Sequence, residues 1–170
     1  MSIKLIGAVL VFLVCGGLGY QMAASHRLEV KTLQQLSAVL EHMECEMVYR
    51  LTPLPMLCRS TAEKFPGTLA KFFTAFAQEL DNQVAPDVAH CIQAALWNVK
   101  GIPALTEEVL TELGTFLGAF DLDGQLKGLS AALETIRQKL EGLTQNQEAR
   151  LRSYQTLGLC AGAAVVILFI

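Results

Sequence analysis

No stretch of this chain of 170 residues alternates apolar and polar side chains with a sustained period of two, and no Asn-Gly hairpin dipeptide occurs. A half-buried strand needs that alternation, so the sequence offers no sheet. Internal repeats and low-complexity tracts are also missing. There is no basic excess: Lys and Arg number 13 against 16 Asp and Glu. A nucleic-acid partner calls for a basic face, and the composition supplies none. No CxxC occurs. Three cysteines, Cys45, Cys58 and Cys91, fall in the middle of the chain and cannot all pair with one another. The expectation is buried thiols in a reducing compartment.

Recognisable chemistry is the widest gap. There is no Walker sequence, no GxSxG, and no serine or cysteine with a histidine in a catalytic arrangement. His26, His42 and His90 are scattered. His42 and Glu46 lie one helical turn apart but bring no third ligand, and an exposed helix face accounts for both. Asp121-Leu122-Asp123-Gly124 opens like a calcium loop. Its glycine is fourth rather than sixth, however, and Ala132 stands at the twelfth position, where a glutamate is required. The chain is therefore expected not to be an enzyme, and to have no catalytic, cofactor-binding or metal-ligating residues, no cofactor and no small-molecule substrate.

What is abundant is apolar surface. Hydrophobic residues make up 52% of the chain, and the mean hydropathy is +0.41. The excess sits at the two ends. Ile3–Ala24 is apolar apart from Lys4 and Gln21, and is long enough to cross a hydrocarbon core of ~30 Å. Cys15, Gly19 and Ala23 form a small-residue row suited to another membrane helix, although glycine enrichment is ordinary in such segments. Leu157–Ile170 has no charge, and its fourteen residues span only about 21 Å. It is therefore either membrane-spanning in a thinned bilayer or partly inserted. The expected domains are an N-terminal transmembrane segment at 1–24, a helical bundle at 25–153 and a C-terminal membrane segment at 154–170. Arg27, Lys31, Arg150 and Arg152 flank the apolar ends on the bundle side, which by the positive-inside rule puts the bundle in the cytoplasm. The rival is a cleaved signal peptide ending near Ala23-Ala24-Ser25, giving a secreted or surface-anchored helical interaction protein.

Between the ends the helical period dominates. Leu33, Leu36, Leu40, Met43 and Met47 repeat at three- and four-residue steps, predicting a helix that ends near Leu51. Thr52-Pro53 reads as an N-cap followed by proline at the first helical position, with the next helix over Pro53 to Phe65. A third helix is expected over Thr68 to Gln83 with Leu69, Phe72, Phe73, Phe76 and Leu80 inward. A fourth runs from about Pro86-Asp87 to Lys100, and Gly101-Ile102-Pro103 breaks it. A fifth opens at Thr106 and carries Gly114 and Gly118 within it, where they weaken it but admit a close neighbour. Asp121–Gly124 is the turn into a final long helix over Gln125–Ile170. Its stripe is Leu126, Leu129, Leu133, Ile136, Leu140 and Leu143. The fold class is all-α: an antiparallel bundle of about six helices, with the first and last extended into the membrane. Glu46 and Tyr49, one turn apart, are expected to tie the first helix's end to Thr52-Pro53-Leu54 by hydrogen bonds, or else to form a contact surface.

Four features carry a resemblance: Lys4-Leu5-Ile6-Gly7-Ala8; the string Glu46-x-x-Tyr49-x-x-Thr52-Pro53-Leu54; the string Leu110-x-x-x-Gly114-x-x-Leu117-Gly118-x-x-Asp121-x-x-x-Gln125; and the apolar C-terminal end. With these, the chain resembles the stage III sporulation protein AB family over its whole length. That family is similar to the GspF-type cytoplasmic domain of type II secretion and type IV pilus platform proteins. The resemblance implies a scaffold component of the channel between mother cell and forespore. Its implied location is the mother-cell membrane around the forespore, with the bundle facing mother-cell cytoplasm. The implied partners are the secretion-type ATPase stage III sporulation protein AA and other membrane proteins of the same complex. Glu46, Tyr49, Thr52, Pro53, Leu54, Gly114, Gly118, Asp121 and Gln125 are the structural or partner-contact positions it marks.

Overall fold

The computed structural model describes the backbone of residues 2–82, 87–118 and 121–144, with side chains from Ser25 onward. Its helices are α1 (Ser2–Arg50), α2 (Leu54–Lys64), α3 (Thr68–Asn82), α4 (Val88–Asn98), α5 (Ala104–Leu113) and α6 (residues 122–144). No strand occurs among the described residues. The apolar N-terminal run and the amphipathic Leu33–Met47 stretch belong to one uninterrupted helix of 49 residues. At 1.5 Å per residue, α1 is about 73 Å long.

Each helix buries the stripe that its spacing defines. From α1 come Leu33, Leu36, Leu40, Met43 and Met47; from α3, Leu69, Phe72, Phe73 and Phe76. Leu57 and Cys58 of α2, Ile92 and Ala95 of α4, and Val109, Leu110 and Leu113 of α5 close the same core. Phe72 meets Phe73 edge-on at 5.1 Å and stacks with Phe76 at 5.9 Å. A fully buried side chain of this size contributes roughly 1.5–3 kcal/mol, so the α1 and α3 faces, with the most such side chains, are the leading contributors. Of the α6 stripe, Leu129 and Ile136 are fully buried together with Ala132, while Leu126, Leu133, Leu140 and Leu143 are half covered. Lys139 of α6 pairs with Glu108 of α5 at 2.8 Å.

Short connections at Leu51–Pro53, Phe65–Gly67 and Val99–Pro103 turn successive helices antiparallel. Sequential neighbours α2 and α3, α3 and α4, and α4 and α5 pack together, and α1 touches both α2 and α5. In this up-and-down order, the α1–α2 corner, the start of α4 and the α5–α6 turn all lie at one end of the bundle.

Several local expectations are corrected. Thr52 does not cap α2; Pro53 does, and its carbonyl accepts from Leu57 N at 2.9 Å. The helix starts one residue late because Pro53 sits in extended backbone (ψ 142°) and Pro55 takes an early helical position. The fifth helix opens at Ala104 on a Pro103 cap. Thr106 is inside its first turn, and its fully buried hydroxyl has no hydrogen-bond partner among the described residues. Gly114 and Gly118 do not lie within α5, which stops at Leu113; the chain then turns through 114–118. The final helix starts at residue 122, before Gln125, because the Asp121 carboxylate accepts from Gly124 N at 3.0 Å and caps it. Cys45 is exposed, whereas Cys58 and Cys91 are buried. Pro86, Phe120 and the C-terminal run of the last helix fall outside the described residues.

Candidate functional site

The marked residues fall into two sets. The first is the α1–α2 corner. Glu46 and Tyr49 were expected to bond across to the following cap, and they do not. Glu46 accepts from the Arg50 guanidinium at 3.4 Å, on its own helix. Tyr49 is 82% exposed, and its hydroxyl has no hydrogen-bond partner among the described residues. The reason is register: Met47 holds the inward position, which turns Val48 and Tyr49 outward. Leu54 packs against the core, Thr52 is half-buried and Pro53 is exposed.

Between the two helices stands Leu51, with φ +51°. Past a helix end this left-handed backbone is the usual place for glycine, because a Cβ crowds the following carbonyl. Leu51 is 69% exposed, and so are its neighbours in part: Met56 is 60% and Val48 46% exposed. The sequence reading passed over Leu51, Met56 and Val48. The one available signal was a bulky apolar residue standing where a helix end favours glycine.

The second set is the α5–α6 turn, and here the marked residues do come together. Gly114 caps α5 and is buried; a Cβ there would sit 3.1 Å from the Cα of Ala89, at the start of α4. Gly118 takes φ +73°, and a Cβ on it would overlap Val88 Cγ2. Asp121 caps α6, and its carbonyl accepts from Gln125 N at 2.9 Å. Gly128 lies flush against Phe116. These groups fold the chain back and seat α4 on the turn; they present no reactive group.

Elsewhere the chemistry is sparse. Burial pushes the Cys58 thiol up to about 12, which holds it protonated and unreactive. Cys91 is also raised, first by burial and then by Glu79 and Asp87. His42 packs on the Phe65 ring, and its Nδ1 lies 3.3 Å from the Lys64 ammonium, so it faces α2 rather than Glu46. Burial and then Lys64 hold its pKa below the ordinary 6.5. No group of three or more His, Cys, Asp or Glu gathers as a metal site among the described residues. An open groove of about 480 Å³ runs between α1 and α6, with Ser37, Glu41, Leu133, Arg137 and Leu140 along it. Arg137 and Glu141 pair at 3.5 Å on its rim, the solvated face that their spacing implies. Among the described residues, no helix is long and apolar enough to cross a membrane.

Residues 4–170 match the family model described as stage III sporulation protein AB. The stage III sporulation protein AB of Bacillus subtilis (strain 168) is 26% identical over 168 residues, covering 98% of each chain. A solved structure of stage III sporulation protein AB superposes with a TM-score of 0.62 at 26% identity, covering 72% of this chain and 98% of that one.

Proposed function

The chain belongs to the stage III sporulation protein AB family, and from that membership we propose that it is a non-catalytic membrane platform of the channel between mother cell and forespore, docking a secretion-type ATPase. Its ends anchor it in the mother-cell membrane around the forespore, through residues 1–24 and 154–170. The bundle faces mother-cell cytoplasm. The observation that carries this reading is α1. The backbone stays helical from Ser2 to Arg50, so the apolar run Ile3–Ala24 is joined without a hinge to the helix that supplies Leu33–Met47 to the core. The buried, protonated thiols of Cys58 and Cys91 suit a scaffold rather than a catalyst.

Cys45 gives the test, because it is exposed. In a full-length chain with Cys15 and Cys160 replaced by serine, a membrane-impermeant maleimide should label Cys45 only after cells are opened. Labelling on intact cells, with a mature N-terminus near His26, would establish the secreted alternative instead. The ATPase should co-purify with the chain from detergent-solubilised sporulating cells after crosslinking; its absence removes the partner from the reading.

A further inference from the structure

Trp97 is the chain's single tryptophan, and it stands 89% exposed on the last turn of α4. Every described phenylalanine side chain, by contrast, is buried or half-buried. The core does not hold the indole, and its level in the bundle can be read from two contacts. Lys139 of α6 pairs with Glu108 of α5. Arg137, two residues before Lys139, lines one groove with Ser37 and Glu41 of α1. Glu108 therefore stands near the level of Ser37. Helix α5 opens one turn earlier, at Ala104. That puts its start, and the end of α4 beside it, within about 12 Å of Ser25 along α1. The turn Val99–Pro103 closes the bundle on this side, opposite the α1–α2 corner.

This is the end from which the apolar run departs. Ile3–Ala24 continues α1 without a break and, at about 33 Å, matches a hydrocarbon core of ~30 Å. The headgroup layer outside such a core is about 5–8 Å deep. A tilt of ~20°, ordinary for a membrane helix, lowers a flank ~10 Å off its axis by about 4 Å more, which brings the α4–α5 turn to the headgroups. The residues there suit that layer. Leu28 is 52% exposed, and Arg27, Lys31 and Lys100 are exposed. Glu29 is the only acid within residues 25–33 and 96–105, whereas residues 44–53, 87–90 and 121–127 at the opposite end hold five acids against two bases. An indole, apolar in body with one N–H, favours the boundary between acyl chains and headgroups, and lysine and arginine beside it attract anionic lipid. A protein partner fits less well. Gln93, one turn before Trp97, and Asn98 after it are exposed and polar, so Trp97 does not centre an apolar patch.

We propose that the α4–α5 turn is a second membrane contact, with Trp97 seated in the headgroup layer and Arg27, Lys31 and Lys100 on anionic lipid. This rests on the reading above that Ile3–Ala24 lies in a membrane. Two attachments, one helix and one turn, then fix the lean of the bundle over the surface.

Trp97 is its own reporter, because no other tryptophan contributes to the emission. The full chain is reconstituted into phosphatidylcholine vesicles with or without phosphatidylglycerol, and is also kept in detergent. With phosphatidylglycerol present, a headgroup spin-labelled lipid should quench Trp97 at least about twofold more than a lipid labelled deep in its acyl chain. Acrylamide, a neutral aqueous quencher, should reach Trp97 at least about twofold less well than in vesicles without phosphatidylglycerol. Lys100→Glu should abolish both differences and leave the melting temperature in detergent unchanged, because the side chain is exposed. If the chain resists extraction by alkaline carbonate but the headgroup label leaves Trp97 unquenched, the contact is overturned and the membrane reading stands. Equal quenching with and without phosphatidylglycerol, or in Lys100→Glu, overturns the assignment to anionic lipid. Release of the chain by carbonate overturns the contact and the membrane reading together. Protection from acrylamide in detergent that tracks a dimer in sedimentation gives Trp97 to a second copy and also overturns the contact.

Discussion

The chain makes a left-handed backbone turn at Gly118 and again at Leu51, near one end of the same bundle, for opposite reasons. At Gly118 the chain needs space: Val88 from α4 occupies the volume a side chain would take. At Leu51 the chain keeps a side chain despite the backbone cost and points it at solvent. The first turn exists to let α4 and the α5–α6 segment pack. The second exists to hold something out. Gly67 stands between them, with φ +119° and nothing within 4 Å, a turn that reverses direction and does no more.

Substitutions sharpen the contrast in order of effect. Gly118→Ala meets both left-handed strain and a stiff β-branched neighbour, and should cost roughly 2–4 kcal/mol in denaturant unfolding. Gly67→Ala meets only the backbone term and should cost roughly 1–2 kcal/mol by the same measurement. A loss at Gly67 equal to that at Gly118 would erase the distinction between a crowded and an open turn. Leu51→Gly should have the opposite sign, a gain of up to about 1 kcal/mol once glycine's own chain entropy is deducted from the relieved strain. A net loss there would mean that Leu51 supports the fold after all.

The smallest effect concerns pH, and it lies beside the Gly67 turn. His42 rests on Phe65, the residue that closes α2, and burial with the nearby Lys64 ammonium holds its pKa below 6.5. The folded chain therefore resists a proton that the unfolded chain accepts. Stability should rise with pH from the folded value up to about 6.5 and fall on acidification through that window. His42→Gln should show a smaller drop in melting temperature between about pH 7 and 5 than the native chain. An identical drop in both would assign the pH dependence to other groups.

The sequence made the helices legible because their stripes are regular. Leu33 to Met47, and Leu69 to Phe76, have no other economical placement than one helix face. Ends were less legible, since propensity cannot separate neighbouring proline registers. Thr52-Pro53 has the composition of a cap, but Pro55 shifts the start by one residue. Apolar spacing continues from Leu110 through Leu113 to Leu117 across the end of α5, which hid the turn holding Gly114. The family strings picked out both the corner and the α5–α6 turn. They did not reveal that Tyr49 faces solvent, nor that Leu51 carries the strain, because backbone sign is not written in a residue that normally avoids it. The exposure of Cys45 follows from its place two residues before Met47, off the buried stripe.

The unbroken α1 has a mechanical consequence. A helix about 73 Å long with one end fixed in a bundle is a lever, and a tilt of about 5° at the corner swings its far end through about 6 Å. That is more than the diameter of a methyl group and close to one helical pitch. A push delivered beside Leu51 need not travel through a chain of contacts to be felt at Ser2; the geometry of the rod carries it.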